Sequence, residues 1–249
     1  MPSWFLKGAT SPIKTTPFPH APESALGATP GRPVVTEFAS HQQAEKAAAQ
    51  CPTGAIHAGN ADAEVNLNRC IHCLRCASGD TPMQWKTDYL WAKRLRADNL
   101  MPQPFRKSLH IRLVDTGSCD AVIQEIKQLA KPYYNMHKLG FFITPTPRHA
   151  DVLMVTGPLT HHMRLALKKT YDAMPSPKWV IAVGGCALGG CVFQRGFTSA
   201  GGVLDALPVD VEVPGCPPPP MAILYGLMLL AGRVGEITPS TPIAMEKSS

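Results

Sequence analysis

No apolar run in this 249-residue sequence approaches the ~20 residues that a membrane-spanning helix needs. The longest, 221–231, reads instead as a buried or docking helix. Residues 1–10 lack the apolar core of a secretory signal. The chain is therefore expected to be cytoplasmic, lying on the cytoplasmic face of a membrane only through partner subunits. Charge is scarce as well: 17% of residues are charged and the net charge is +6. No basic stripe accompanies a nucleic-acid motif, which argues against DNA or RNA. The glycine-rich run Gly184-Gly-Cys-Ala-Leu-Gly-Gly follows an apolar segment, but its spacing is not G-x-G-x-x-G, so a nucleotide site is not expected. No internal repeat recurs at a fixed period.

What is present is apolar residue, at 45%, enough for a sizeable core, and eight cysteines. In a reducing compartment such thiols point to metal rather than to disulfides. Residues 1–38 carry Pro17, Pro19, Pro22, Pro30 and Pro33 and read as an extended arm lying on a partner or on the chain's own core. Residues 39–107 hold four cysteines and a connector. A helical pattern over 42–50 ends at Cys51-Pro52, and helical spacing would put Trp85 and Tyr89 on one face as a packing pair. The charges at 79–107, among them Lys86, Lys93, Arg94, Arg96 and Asp98, suit a solvated face or a docking surface.

Residues 108–249 change pattern. Apolar runs at 109–114, 140–143, 152–156, 179–183 and 209–213 read as strands. Helices are expected over 122–129, after Thr160 as cap, and from 221 to about 230. Strands alternating with helices predict a doubly wound parallel sheet, with function at the carboxyl ends of its strands. The fold class is thus α/β, preceded by a small α+β cluster-binding domain.

The first cysteine set is Cys51-Pro, then Cys70-Ile-His-Cys73-Leu-Arg-Cys76. Ferredoxin runs read C-x₂-C-x₂-C-x₃-C-P, the fourth cysteine serving the other cluster. Here the ligands of one crossed [4Fe-4S] cluster survive. No three-cysteine run precedes Cys51, and Asp80 stands where a further cysteine would fall. Structural zinc is the competing reading, but it usually takes paired C-x-x-C knuckles. His57 and His72 read as surface or supporting residues rather than ligands.

The second set is Cys119, Cys186, Cys191 and Cys216, each after a predicted strand. Neighbouring glycines allow close backbone approach to a bulky group. Four buried thiols without metal is the competing reading.

The runs Ile-Arg-Leu-Val-Asp-Thr-Gly-Ser-Cys119, Pro147-Arg-His-Ala-Asp-Val-Leu-Met-Val-Thr-Gly-Pro158, Pro177-Lys-Trp-Val-Ile-Ala-Val-Gly-Gly-Cys186-Ala and Gly215-Cys-Pro-Pro carry a resemblance. Residues 109–226 resemble the small subunit of group 4 membrane-bound nickel–iron hydrogenases of the formate-hydrogenlyase type. That family is homologous to the complex I subunit bearing the terminal cluster. The N-terminal part, with the Thr-Thr arm at 15–19, resembles the ferredoxin-like partner of the same complexes. The resemblance implies a flavodoxin-like sheet and a fusion of two electron carriers with two [4Fe-4S] clusters. It implies no catalytic residue of the chain's own, and as partners a hydrogenase-type or complex I-type large subunit and membrane-arm subunits.

The family's pattern has a cysteine three residues after the one matching Cys119; here that position is Val122. Cys191 is the candidate substitute. The alternatives are a [3Fe-4S] cluster, ligation by Asp120, or no second cluster. Glu125 stands where the family keeps a glutamate associated with proton movement; the plain alternative is a helix-surface residue. Pro219 and Met221 replace positions that are often arginine and glutamate, which weighs against hydrogen turnover more than against electron transfer.

Overall fold

Successive residues of a strand buried on both faces must all be apolar, and 152–156 and 179–183 meet that condition. The computed structural model describes residues 3–12, 14–23, 25, 27–35, 41–59, 63–78 and 83–235. Asp80 and parts of the 1–38, 39–107 and 108–249 segments, including the C-terminal end, lie outside these residues. In chain order the elements are α1 (Ser3–Thr10), β1 (Arg32–Val35), α2 (His41–Gln50), β2 (Ile56–Ala58), β3 (Ala63–Val65), β4 (Met83–Lys86) and β5 (Lys93–Arg94). There follow β6 (Leu109–Asp115), α3 (Ala121–Gln128), β7 (Phe141–Ile143), β8 (Val152–Thr156), α4 (His161–Asp172), β9 (Trp179–Val183), α5 (Gly185–Gly189), β10 (Val211–Val213) and α6 (Pro220–Leu230).

The main sheet has the order β5-β10-β9-β8-β6-β7. Its last five strands are mutually parallel, and β5 joins antiparallel at the β10 edge. Counted within the parallel set, this is the 2-1-3-4-5 order of flavodoxin-like folds. Alternate residues sort to opposite faces. Val152, Met154, Ile181 and Val183 pack with α3 and α6; Leu153, Val155, Val180 and Ala182 pack with α4 and α5. Every residue of α6 is buried, so the apolar run at 221–231 is a core helix. Each such large side chain contributes roughly 1.5–3 kcal/mol. No helix among the described residues is long and apolar enough to cross a membrane.

The N-terminal half departs from its expected pattern in three places. The arm begins with a helix, α1, and ends in a strand, β1, that pairs with β4. Between them it lies on the chain's own core: Thr16 N donates to Tyr133 O, and Phe18 is buried edge-on against Tyr89. The connector is not helical between Trp85 and Tyr89, which corrects their pairing on one face. Trp85 sits in β4 and donates from Nε1 to Pro30 O, while Tyr89 packs on Phe18 and accepts the Glu23 amide at its hydroxyl. Pairing with β1 and burial against the core override the local helical spacing. Asp88 in the charged run is also not solvated. It is buried and held by Arg32 at 2.8 and 3.1 Å and by Trp91 Nε1 at 3.0 Å.

The connector is pinned to the sheet around Asp210, whose side chain is almost fully buried. Asp210 accepts from Val180 N at 2.8 Å and Asn99 Nδ2 at 2.7 Å, with Arg96 at 3.6 Å. Burial nevertheless pushes its carboxyl above the ordinary range, against the pull of those donors and cations. Thr160 does not cap α4 through its side chain; its hydroxyl donates to Thr116 O and ties the β6 and β8 loops together. Leu165 is exposed, so the buried face of α4 is narrower than its apolar residues suggest.

Candidate cysteine-lined metal centres

The first cysteine set is built on small elements. Cys51 follows the last turn of α2, and its sulfur accepts the Ala55 amide at 3.1 Å. Burial alone would raise this thiol, but the amides of Ala55 and Thr53 together bring it below its usual value. Cys70 follows a 3₁₀ turn at Leu67–Arg69, and Cys76 lies in a second at Arg75–Ala77. Between them His72 and Leu74 take left-handed backbone angles, φ 53° and 63°, which fold the run back on itself. Cys51, Cys70, Cys73 and Cys76 line one pocket, closed by Ile56, Ile71 and Trp85. Burial pushes the Cys70 thiol up to about 12 and raises Cys76, and neighbouring cysteine charges add to both.

The second set stands at the carboxyl end of the main sheet. Gly184 N donates to Val213 O and Gly185 N to Gly215 O, which binds the loops after β9 and β10 together. They bring Cys186, Cys191 and Cys216 into one group whose sulfurs all lie within 4.8 Å of one another. Cys186 and Cys191 are buried and Cys216 half-buried. Hydrogen bonds from Cys186 and Cys216, then the Val192 amide and the Arg69 charge, pull Cys191 well below its usual value. Cys186, which shares its proton with that thiolate, is driven up. The bond with Cys186 lowers Cys216, but its bond with Cys191 and its burial win, and it rises.

Cys119 does not join this three-sulfur group. It lies exposed in the loop between β6 and α3, next to Asp120, which is also exposed. Val122 does reach the site: its Cγ2 lies 2.9 Å from where a Cβ on Gly184 would stand. Glu125, one turn further along α3, is half-buried, and burial raises its carboxyl above the usual range. It lines a groove of about 690 Å³ with Gln128, Tyr134, His72, Cys216 and Pro219. Burial and the Glu125 charge raise the Tyr134 hydroxyl.

The two sets share a boundary that spacing could not reveal. Gly185 lies against the Asn68 carbonyl: a Cβ there would sit 2.7 Å from its oxygen. The Cys191 sulfur is 3.8 Å from the Arg69 carbonyl, one residue before Cys70. His72 is half-buried on the Cys216 side, not on the surface, while His57 is exposed. The signal for His72 was only its place inside the cysteine run.

Both sets offer soft thiolate sulfur, the donor that iron–sulfur clusters take, with hydrogen-bonding amides around it. The residues present fit such groups. The first pocket supplies four sulfurs and the second three, with Cys119 on the adjoining loop.

Comparison with known proteins bears on the second set. The family profile described as NADH ubiquinone oxidoreductase, 20 Kd subunit, matches residues 118–230, which include all four cysteines of that set. An uncharacterized protein of Methanocaldococcus jannaschii is 42% identical over 135 residues, 54% of this chain and 90% of that protein. Among solved structures, a chain of the membrane-bound sulfane sulfur reductase, an archaeal respiratory membrane complex, is 28% identical with a TM-score of 0.47. It aligns over 52% of this chain and 71% of its own. A chain of the NAD+-reducing nickel–iron hydrogenase in its H2-reduced state gives 0.42 at 15% identity, covering 53% of this chain and 96% of its own. The chain belongs to the family of the 20 Kd subunit of NADH ubiquinone oxidoreductase.

Proposed function

We propose that this chain is an iron–sulfur electron-transfer subunit of a hydrogenase-like or complex I-like oxidoreductase. Cys51, Cys70, Cys73 and Cys76 would hold one [4Fe-4S] cluster. Cys186, Cys191 and Cys216, with Cys119 as fourth ligand, would hold a second. When bound, such clusters supply one-electron carriers. The residues hold the sulfur, exclude water and present amide donors. The observation that carries the reading is the meeting of three sulfurs from two strand-end loops, against the turn that leads into the four-cysteine loop.

The partner is a large subunit of hydrogenase or complex I type, with membrane-arm subunits beyond it and the chain peripheral on the cytoplasmic face. The apolar side chains exposed beside Cys191 support this. Val192 and Phe193 are about half exposed and Phe197 is 98% exposed, a patch that favours protein cover. Val122, Pro219 and Met221, at positions where the resembled hydrogenases differ, keep open the complex I-like reading without hydrogen turnover. Nickel-ligating cysteines in the co-purifying large subunit would decide for hydrogenase, and their absence for the other. A structural assembly role with the first cluster alone is the competing class.

Iron and sulfide quantitation with spectra of the reduced protein tests the assignment. About eight irons per chain are expected for two cubes. Cys51→Ala is expected to remove the first signal alone, and Cys191→Ala to weaken or convert the second. About four irons per chain, or zinc, would end the two-cluster reading. Two intact cubes in the Cys191 variant would remove that residue from the ligand set.

A further inference from the structure

Buried nitrogens without a partner are costly, about 1–3 kcal/mol each, so each needs a reason. Among the described residues, His72 Nε2 is such an atom. Its ring stands edge-on to Trp91, with centroids 4.9 Å apart, and to Trp85 at 6.1 Å. Its backbone amide serves the Cys70 sulfur, while the ring lines the groove that holds Cys216. The backbone at His72 is left-handed, φ 53°. One residue therefore addresses both sulfur sets, the first through the main chain and the second through the ring.

We propose that, with a cluster bound at the second site, His72 Nε2–H donates a hydrogen bond to a sulfur of that cluster on the Cys216 side, so that a residue of the first cysteine loop sets the reduction potential of the second site. This rests on the two-cluster reading given above. A hydrogen bond to a cluster sulfur favours the more negative, reduced state. Losing the donor therefore lowers the potential. The edge contacts with Trp85 and Trp91 fix the ring so that the donor need not be ordered on reduction. No groove residue other than His72 combines a buried, unpartnered nitrogen with proximity to Cys216.

The test is a redox titration of the purified full chain, followed by the spectra of its reduced clusters. His72→Phe keeps a ring against the two tryptophans and removes the donor. It is expected to shift the second site's reduction equilibrium about tenfold toward the oxidised form, about 59 mV for one electron. The first site is expected to stay in place. His72→Gln restores a donor and is expected to recover most of the shift. An unshifted second potential in His72→Phe with both clusters present overturns the proposal. Equal shifts in the Phe and Gln variants also overturn it, because packing alone would then account for them. Wild-type protein labelled with ¹⁵N-histidine gives a second readout that does not depend on a potential shift. Nitrogen hyperfine coupling on the reduced second site, absent in His72→Gln, supports the bond, and no coupling in wild type rejects it. If wild-type protein carries only the first cluster, the two-cluster reading fails and the inference with it; unshifted potentials with eight irons sink the inference alone.

Discussion

Cys70, Cys73 and Cys76 were legible as candidate ligands because their two-residue gaps match a ferredoxin run. Their surroundings were not. His72 owes its position to a left-handed backbone angle and two tryptophan edges, neither of which spacing records. In the sequence Cys119 belonged to the resembled motif and Cys191 was the candidate substitute, yet Cys119 is exposed while Cys191 groups with Cys186 and Cys216. Asp88 shows the same limit. It looked like one charge in a solvated run and is instead a buried acceptor for Arg32 and Trp91. Removing one partner of a buried pair leaves an uncompensated charge. Arg32→Met is expected to lose about 3 kcal/mol in denaturant unfolding, because only Trp91 and a more distant Lys86 then face the carboxylate. Adding Asp88→Asn should return much of that loss. A single variant as stable as wild type would show that water reaches Asp88.

Elements buried on both faces were the most readable. β8 and β9 follow the apolar runs nearly residue for residue, and α6 follows the longest run. β5 was invisible because two residues carry no periodicity; it exists only through pairing with β10. α5 was equally hidden, since five residues rich in glycine have no helical preference of their own. Its glycines have distinct duties. Gly185 admits the Asn68 carbonyl, whereas nothing lies within 4 Å of a Cβ on Gly189. Gly185→Ala is therefore expected to destabilise the protein by about 1–3 kcal/mol and to disturb the second site's spectrum. Gly189→Ala should be neutral or slightly stabilising. Equal behaviour of the two in thermal melts would mean that the turn before Cys70 does not press on α5.

Across the whole molecule, the sheet was foreseen and the manner of joining the two halves was not. The N-terminal half has a small core, centred on Ala44, Ala47, Ile56, Cys76 and Met83, while the sheet carries two large ones. A core this small would depend on the proposed cluster for stability. If the first set holds iron as proposed, stripping it with a chelator is expected to speed amide exchange in α2, β2 and β3 well before β8 and β9. Uniform loss of protection across the chain would contradict this. The halves are joined by a segment that is itself a strand of the larger one: β5 pairs with β10, Leu95 N donates to Asp210 O, and Arg94 donates to Leu229 O. Two carriers on a floppy tether would meet at a local concentration set by its length. Here the mount is stiff, so the spacing of the two sulfur nests is inherited from hydrogen-bonded backbone and does not fluctuate with a random coil.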